Sequence, residues 1–394
     1  MTDRPRLRDF GDEPAPALRD LLRAIALDAP LTPCAIDLLA KAAARTADAG
    51  ILRLLPALRG KRCTEDLSDT IRTDMEIRYR RTAARFMLFQ HVARQIGMAF
   101  EDERIRPLFL KGFPLATTFY PSPACRPMSD LDIAVAPADY PTAEALLLKL
   151  GFVPRGEEAQ GRAIPGINIH AMAFHQPDLR VSVDLHHHVF AASLWEGSDD
   201  GLWAAAQPFE ALGAGAALTL APEHHVLHAC IHGYGRSIHQ LSVRWMLDAD
   251  LILKRQGRDF RWALLEAEAA RHRCGPLVAA ALSYLADHLA SPIPTATLDS
   301  LVALPMAGFD RAYFQQSARL SHSSDRSLRL RLAWNACQRQ AGRAFHTPLP
   351  FITVLARRWG AGSPSAFARA IIRRWREPTF LRERRARGTR QEQS

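Results

Sequence analysis

Two aspartates inside one apolar run constrain this chain more than any other feature: Met128-Ser129-Asp130-Leu131-Asp132-Ile133-Ala134-Val135. Read as a β-strand, the run alternates faces, so Asp130 and Asp132 share one side while Leu131, Ile133 and Val135 supply the other. Carboxylates held side by side repel each other and resist desolvation unless a cation lies between them, which makes the pair a candidate Mg²⁺ site. The other reading of the D-x-D spacing is an exposed edge strand with two solvated acids. The neighbouring segments decide between the two.

Leu108-Phe109-Leu110 upstream and Val181-Ser182-Val183-Asp184-Leu185-His186 downstream both read as short strands. In the second, Ser182, Asp184 and His186 fall on one face, so Asp184 can join the first two carboxylates. The first strand runs into Lys111-Gly112 and then a helix expected over Phe113 to Tyr120. Helix N-terminal amides, a glycine that allows close backbone approach and a compact ammonium form a turn able to hold phosphate oxygens, although a Lys-Gly pair by itself is usually a surface turn. Pro121 to Pro127 is a Pro-rich loop, where Arg126 either contacts a triphosphate or balances the acids. Ser129 either supports a phosphate or caps the strand.

These residues, Leu110-Lys111-Gly112, Arg126-Pro127 ahead of Ser129-Asp130-Leu131-Asp132, Gly151-Phe152 and Val183-Asp184-Leu185-His186, resemble the nucleotidyltransferase superfamily that includes DNA polymerase β. More closely, the chain is similar to an uncharacterised bacterial nucleotidyltransferase family. The likeness continues through Ala221-Pro222-Glu223 and Leu227-His228-Ala229-Cys230-Ile231-His232 to about Pro294, roughly the middle half of the chain. The superfamily's usual Gly-Ser pair after the first strand is replaced here by Lys111-Gly112, with a longer separation before Asp130, and the closer family shares that substitution. The resemblance implies an α+β fold, with a small mixed β-sheet nucleotidyltransferase core flanked by N-terminal and C-terminal helical regions. It also implies Mg²⁺, or Mn²⁺ in its place, on Asp130, Asp132 and Asp184, and a nucleoside triphosphate donor held by Lys111, Gly112, Arg126 and Ser129.

At 394 residues with 48% hydrophobic content the chain supports two or three packed units. The expected boundaries are 1–100 (N-terminal helical region), 101–220 (catalytic domain), 221–381 (C-terminal helical domain) and 382–394 (basic tail). Residues Ala15 to Phe100 have an amphipathic helical pattern, and Arg78 to Phe100 reads as one long helix whose Phe86, Phe89, Val92 and Ile96 should pack on the sheet. Helices are also expected over Asp139 to Leu150, ending at Gly151, and over Trp195 to Phe209. Further helices are expected over His224 to Gly233, Gln240 to Lys254, Arg261 to His272 and Pro276 to Leu289, then around Phe309 to Arg319, Leu328 to Phe345 and Ser365 to Trp375. A hairpin is expected with strands over Ile167 to Phe174 and Arg180 to His188, turning at Gln176-Pro177-Asp178-Leu179, and a further short strand over Ala217 to Leu220.

Histidines crowd the same region. His170 lies on the first hairpin strand and His186, His187 and His188 end the second, but consecutive strand residues point to alternate faces and cannot all reach one ion. His186, and with less support His170, are therefore expected to face substrate or to support the metal ligands rather than to build a zinc site. His225, His228 and His232 share one helix face without the glutamate of a zinc protease. Asp248 and Asp250 repeat the D-x-D spacing, but on a helix they point about 200° apart and do not share a metal.

Six scattered cysteines without a C-x-x-C pair suit reduced cytosolic thiols. No apolar run approaches the ~20 residues of a membrane span and no signal core follows the polar start, so a cytoplasmic protein without a membrane span is expected. The formal charge of +10 suits an anionic partner, although the excess is nearly all Arg and gathers towards the end of the chain. Aromatics do not interleave with the basic residues as they do in strand-binding grooves, which argues against a nucleic-acid partner.

The expected activity is thus a Mg²⁺-dependent nucleotidyltransferase that moves a nucleoside monophosphate, or a related phosphate-linked group, from a triphosphate to an acceptor hydroxyl on a small molecule, peptide or protein. A non-catalytic nucleotide sensor or scaffold with the same fold, and an RNA-directed nucleotidyltransferase, are the alternatives.

Overall fold

The computed structural model describes residues 4–10, 13–44, 49–155, 170–212, 217–235, 243–320, 326–344, 346–348, 351–352 and 365. Apart from residue 365, the helix expected to begin at Ser365 lies outside the described residues, as does the basic tail from 382.

A mixed seven-stranded sheet lies between helices contributed from both ends of the chain. Its strands are β1 (Leu108–Leu110), β2 (Asp130–Ala134), β3 (Val153–Arg155), β4 (Ala171–Gln176), β5 (Val181–His186), β6 (Gln207–Pro208) and β7 (Leu218–Thr219), in the order β3-β4-β5-β2-β1-β7-β6. The D-x-D strand β2 is central. It runs antiparallel to β1 and parallel to β5, with Asp132 opposite Asp184 and Asp130 opposite Ser182. The expected hairpin is β4 and β5, antiparallel, with Ala173 opposite Asp184. The short pieces β3, β6 and β7 extend the two edges.

Among the described residues, four α-helices precede the long one: α1 (Pro16–Leu27), α2 (Pro33–Ala44) and the short α3 (Ala49–Leu52) and α4 (Leu55–Leu58). The long helix α5 (Asp69–Asp102) starts nine residues earlier than its apolar pattern suggested, because the Ser68 side chain caps it by accepting from the Ile71 amide at 3.4 Å. Phe86, Phe89, Val92, Ile96 and Phe100 form its buried stripe and share a core with Phe109, Leu131, Ile133, Val183 and Leu185. Each large apolar side chain buried there contributes roughly 1.5–3 kcal/mol. That stripe covers the sheet face opposite the acids.

α6 (Gly112–Thr118) follows β1, and α7 (Tyr140–Lys149) follows β2 and stops at Gly151, whose φ of +82° suits a residue without Cβ. The helix expected over Trp195 to Phe209 is confined to α8 (Asp200–Ala204). The acid-bearing face is covered by α9 (Pro222–Gly235) and α10 (Arg244–Gln256). Behind them stand α11 (Trp262–Arg271), α12 (Gly275–Leu289), α13 (Thr295–Ala303), α14 (Gly308–Leu320) and α15 (Arg326–Ala341). A second core joins Leu21, Leu39 and Leu58 of the N-terminal helices to Leu227, Met246, Leu253 and Leu285 of the C-terminal ones. Among the described residues no helix is long and apolar enough to cross a membrane.

Candidate active site

Parallel pairing of β2 with β5 assembles the site. Because Asp132 and Asp184 are register partners, their side chains emerge side by side on the face away from Leu131, Ile133, Val183 and Leu185. His186 lies two residues beyond Asp184 on the same face. One ligand atom from each of Asp132, Asp184 and His186 falls within 4.8 Å of the others, close enough to hold one metal ion. Asp130, two residues before Asp132 on β2, lines the same cavity and stands outside this tight group.

Asp132 is the focus of the electrostatics. Burial alone would raise its pKa, but the Lys111 ammonium ion-paired with Oδ1, and His186 Nε2 at 3.1 Å from the same oxygen, more than offset that and hold the carboxyl far below its ordinary range. Asp130 shifts the other way: burial and the Asp132 charge raise it, opposed by Lys111, by a hydrogen bond with the Ser129 side chain and by Arg244. The Ser129 side chain is thus engaged with the strand's own acid.

His186 is fully buried, and burial together with Lys111 keeps its pKa below the usual histidine value, so the ring is neutral at pH 7. Its Nδ1 lies 3.2 Å from the His188 carbonyl and its Nε2 faces Asp132, both acceptors, and a neutral ring donates to only one of them. Donation to His188 leaves the Nε2 lone pair directed at the acids as a metal ligand; donation to Asp132 makes His186 a group that orients that carboxylate. His170 packs edge-on against His186, ring centroids 4.9 Å apart. The other two histidines of the run leave the site: His188 Nδ1 meets Asp199 at 3.2 Å and His187 packs edge-on to Tyr140.

Lys111 caps the N-terminus of α6 with φ 54° and ψ −117°. A non-glycine residue in that region costs about 1–3 kcal/mol, and such strain concentrates where a side chain has to be aimed. Gly112 is required by packing, since a Cβ there would lie 2.9 Å from Arg126 Nη1 and 3.2 Å from Met128 Sδ.

Arg126 balances an acid, but a distant one. Its Nε and Nη2 each donate to Asp248 of α10 at 2.7 Å, and Tyr120 donates to the same carboxylate at 2.8 Å. Both partners are only 7% exposed. Asp250, the other half of the apparent D-x-D, points elsewhere and accepts from Lys254 at 2.9 Å and Ser291 at 2.7 Å. The two acids do diverge as helix geometry requires.

The sheet, α9 and α10 enclose a cavity of about 270 Å³ lined by Lys111, Asp130, Asp132 and Asp184 on one side and His228 and Arg244 on the other. Helices were expected over both wall segments; that Arg244, Trp245 and Asp248 face the cavity was not. His225, His228 and His232 do line one side, with His228 stacked between Phe190 and His232 at 5.2 Å from each. The signal that would have found Asp248 is an acid amid Trp245, Met246, Leu247 and Ala249, which needs a buried cation. The arrangement can bind a divalent cation on oxygens and place basic groups beside it, as transfer of a phosphoryl-linked group requires.

No curated protein matches the chain. A model of the family described as "Uncharacterised nucleotidyltransferase" matches residues 36–290, well over half of the chain, and the protein belongs to that family.

Proposed function

We propose that this protein is a divalent-cation-dependent nucleotidyltransferase of the DNA polymerase β type that moves a nucleoside monophosphate, or a related phosphate-linked group, from a nucleoside triphosphate to an acceptor hydroxyl. The observation that carries the reading is the Asp132–Asp184 register pair with Lys111 and His186 on it, open to a cavity that a second layer of helices closes. Asp132 and Asp184, with Asp130 beside them, would hold Mg²⁺, and the oxygen-rich donor set suits that ion. Bound there, the ion supplies charge neutralisation on the donor phosphates and lowers the pKa of the attacking hydroxyl. Asp184 accepts the acceptor's proton, Lys111 neutralises the departing pyrophosphate and His186 keeps the Asp132 carboxylate aimed. The α9 and α10 wall restricts water and shapes the acceptor site, which takes a small molecule, a peptide or a protein side chain.

Calorimetry with each common nucleoside triphosphate, with and without Mg²⁺, tests the reading. Binding that needs Mg²⁺ and disappears in the Asp130→Ala plus Asp132→Ala protein is expected. Equal and negligible binding with and without the ion, or unchanged binding in the double variant, removes it.

A further inference from the structure

Arg244 opens α10 and is the least compensated cation in the cavity. Lys111 is paired with Asp132 and Arg126 with Asp248, whereas the Arg244 guanidinium donates to the carbonyl oxygen of Pro127 and has no carboxylate partner among the described residues. It lines the cavity together with Asp130 and Asp248, and both carboxyls feel its charge. Burial and the neighbouring Arg126 push Arg244 down to about 10. A guanidinium drawn out of water without a counter-ion carries a cost that an anion in the same cavity relieves. Its place in the first turn of α10 adds to that cost, because the helix dipole there opposes a cation and favours an anion.

We propose that Arg244, from the helical half of the molecule, grips the terminal phosphates of the donor across the cavity from Lys111, and that Arg126 instead ties the two halves together through Asp248. The proposal rests on the nucleotidyltransferase reading and adds a specific residue to it. A guanidinium has five donors, and the single bond to Pro127 leaves the rest of the fork for phosphate oxygens. Arg126 has both its Nε and an Nη committed to one carboxylate, so turning that fork to phosphate would strand Asp248 in the interior. The donor site is then two-sided: Lys111 stands at the end of β1, Arg244 at the start of α10.

The test is calorimetric titration of the full chain, in Mg²⁺, with ATP, GTP, CTP and UTP and with inorganic tripolyphosphate, on wild type, Arg244→Gln and Arg244→Lys. Loss of a charge-assisted fork should weaken triphosphate and tripolyphosphate binding by roughly tenfold or more in Arg244→Gln. Arg244→Lys should recover part of the loss, a pattern that a folding defect does not produce. Wild-type affinity in Arg244→Gln overturns the assignment and leaves the enzyme reading standing. A wild-type protein that binds none of these ligands overturns both.

Discussion

The ammonium of Lys111 is ion-paired with Oδ1 of Asp132, the carboxylate that also has a ligand atom of Asp184 and one of His186 within 4.8 Å. Lysine and a metal ion therefore compete for one oxygen. Removing the ammonium should help the metal and hurt the phosphate. Lys111→Met is expected to bind Mn²⁺ about tenfold tighter in the absence of nucleotide, the magnitude of one charge-assisted contact, and to bind tripolyphosphate more weakly. It should also melt below wild type in chelator, because a buried Asp132 loses its counter-charge, and the gap should close when Mn²⁺ is added. Electron paramagnetic titration of Mn²⁺, calorimetric titration of tripolyphosphate and thermal melts check these signs. Weaker Mn²⁺ binding in the variant would mean that Lys111 helps organise the ion site.

Arg126 and Asp248 form a nearly dry ion pair whose members are separated by 122 residues. Truncating one member strands the other, so Arg126→Ala and Asp248→Ala should each cost about 3–5 kcal/mol in urea denaturation. Replacing both by apolar side chains of similar size, as in Arg126→Met with Asp248→Leu, should return most of that stability, since the desolvation penalty disappears with the charges. The double variant separates holding the fold from holding phosphate. If it is stable and still binds tripolyphosphate, Arg126 acts only as a strut.

These two pairs show what local pattern encodes. The two acid-bearing strands were legible because each alternates apolar and polar residues over several positions, β1 because a short apolar run stops at the Lys-Gly turn, and the register of Asp132 with Asp184 follows once β2 and β5 are neighbours. The edges β3 and β6 are two or three residues long and show no period at all, whereas β7 falls inside the short strand expected over Ala217 to Leu220. Asp248 was legible only as a residue that did not share a metal with Asp250; its partner depends on how α10 lies on the loop before β2, which no nearby residue records. The expected helix after Trp195 failed for a similar reason, because Ser198 and Asp199 spend their side chains on Ser193 O and on the Val189 amide and His188. Such local bonds hold a loop in place of a helical turn.

α9 meets α10 where the Trp245 ring lies against Gly233, and a Cβ on Gly233 would sit 2.1 Å from the indole Cγ. Gly233→Ala must therefore displace Trp245, a residue of the cavity wall. Overpacking of this kind costs typically 1–3 kcal/mol, and the displaced ring should alter indole fluorescence in the folded state. A variant with wild-type stability and fluorescence would show that the α9–α10 wall yields easily, and nucleotide affinity should then be unchanged too.

The helical half carries buried neutral histidines, and they make stability fall on acidification before the carboxylates titrate. Burial holds His225 and His272 down at about 3 and His224 at about 4, against an ordinary value of 6.5. Between those limits the unfolded chain binds protons that the folded chain refuses. Stability therefore falls as pH drops through 6.5 and goes on falling until each folded-state value is reached, by about 1.4 kcal/mol per pH unit for each histidine. Urea midpoints should decrease steadily from pH 7.5 to pH 5. His224 isolates the cause, because neither of its ring nitrogens has a hydrogen-bond partner among the described residues and it lies near the Glu223–Arg261 pair without bonding to it. His224→Phe should keep or raise stability at pH 7.5 and reduce the acid slope by about one histidine's share. A slope identical to wild type would place the titrating groups elsewhere in the molecule.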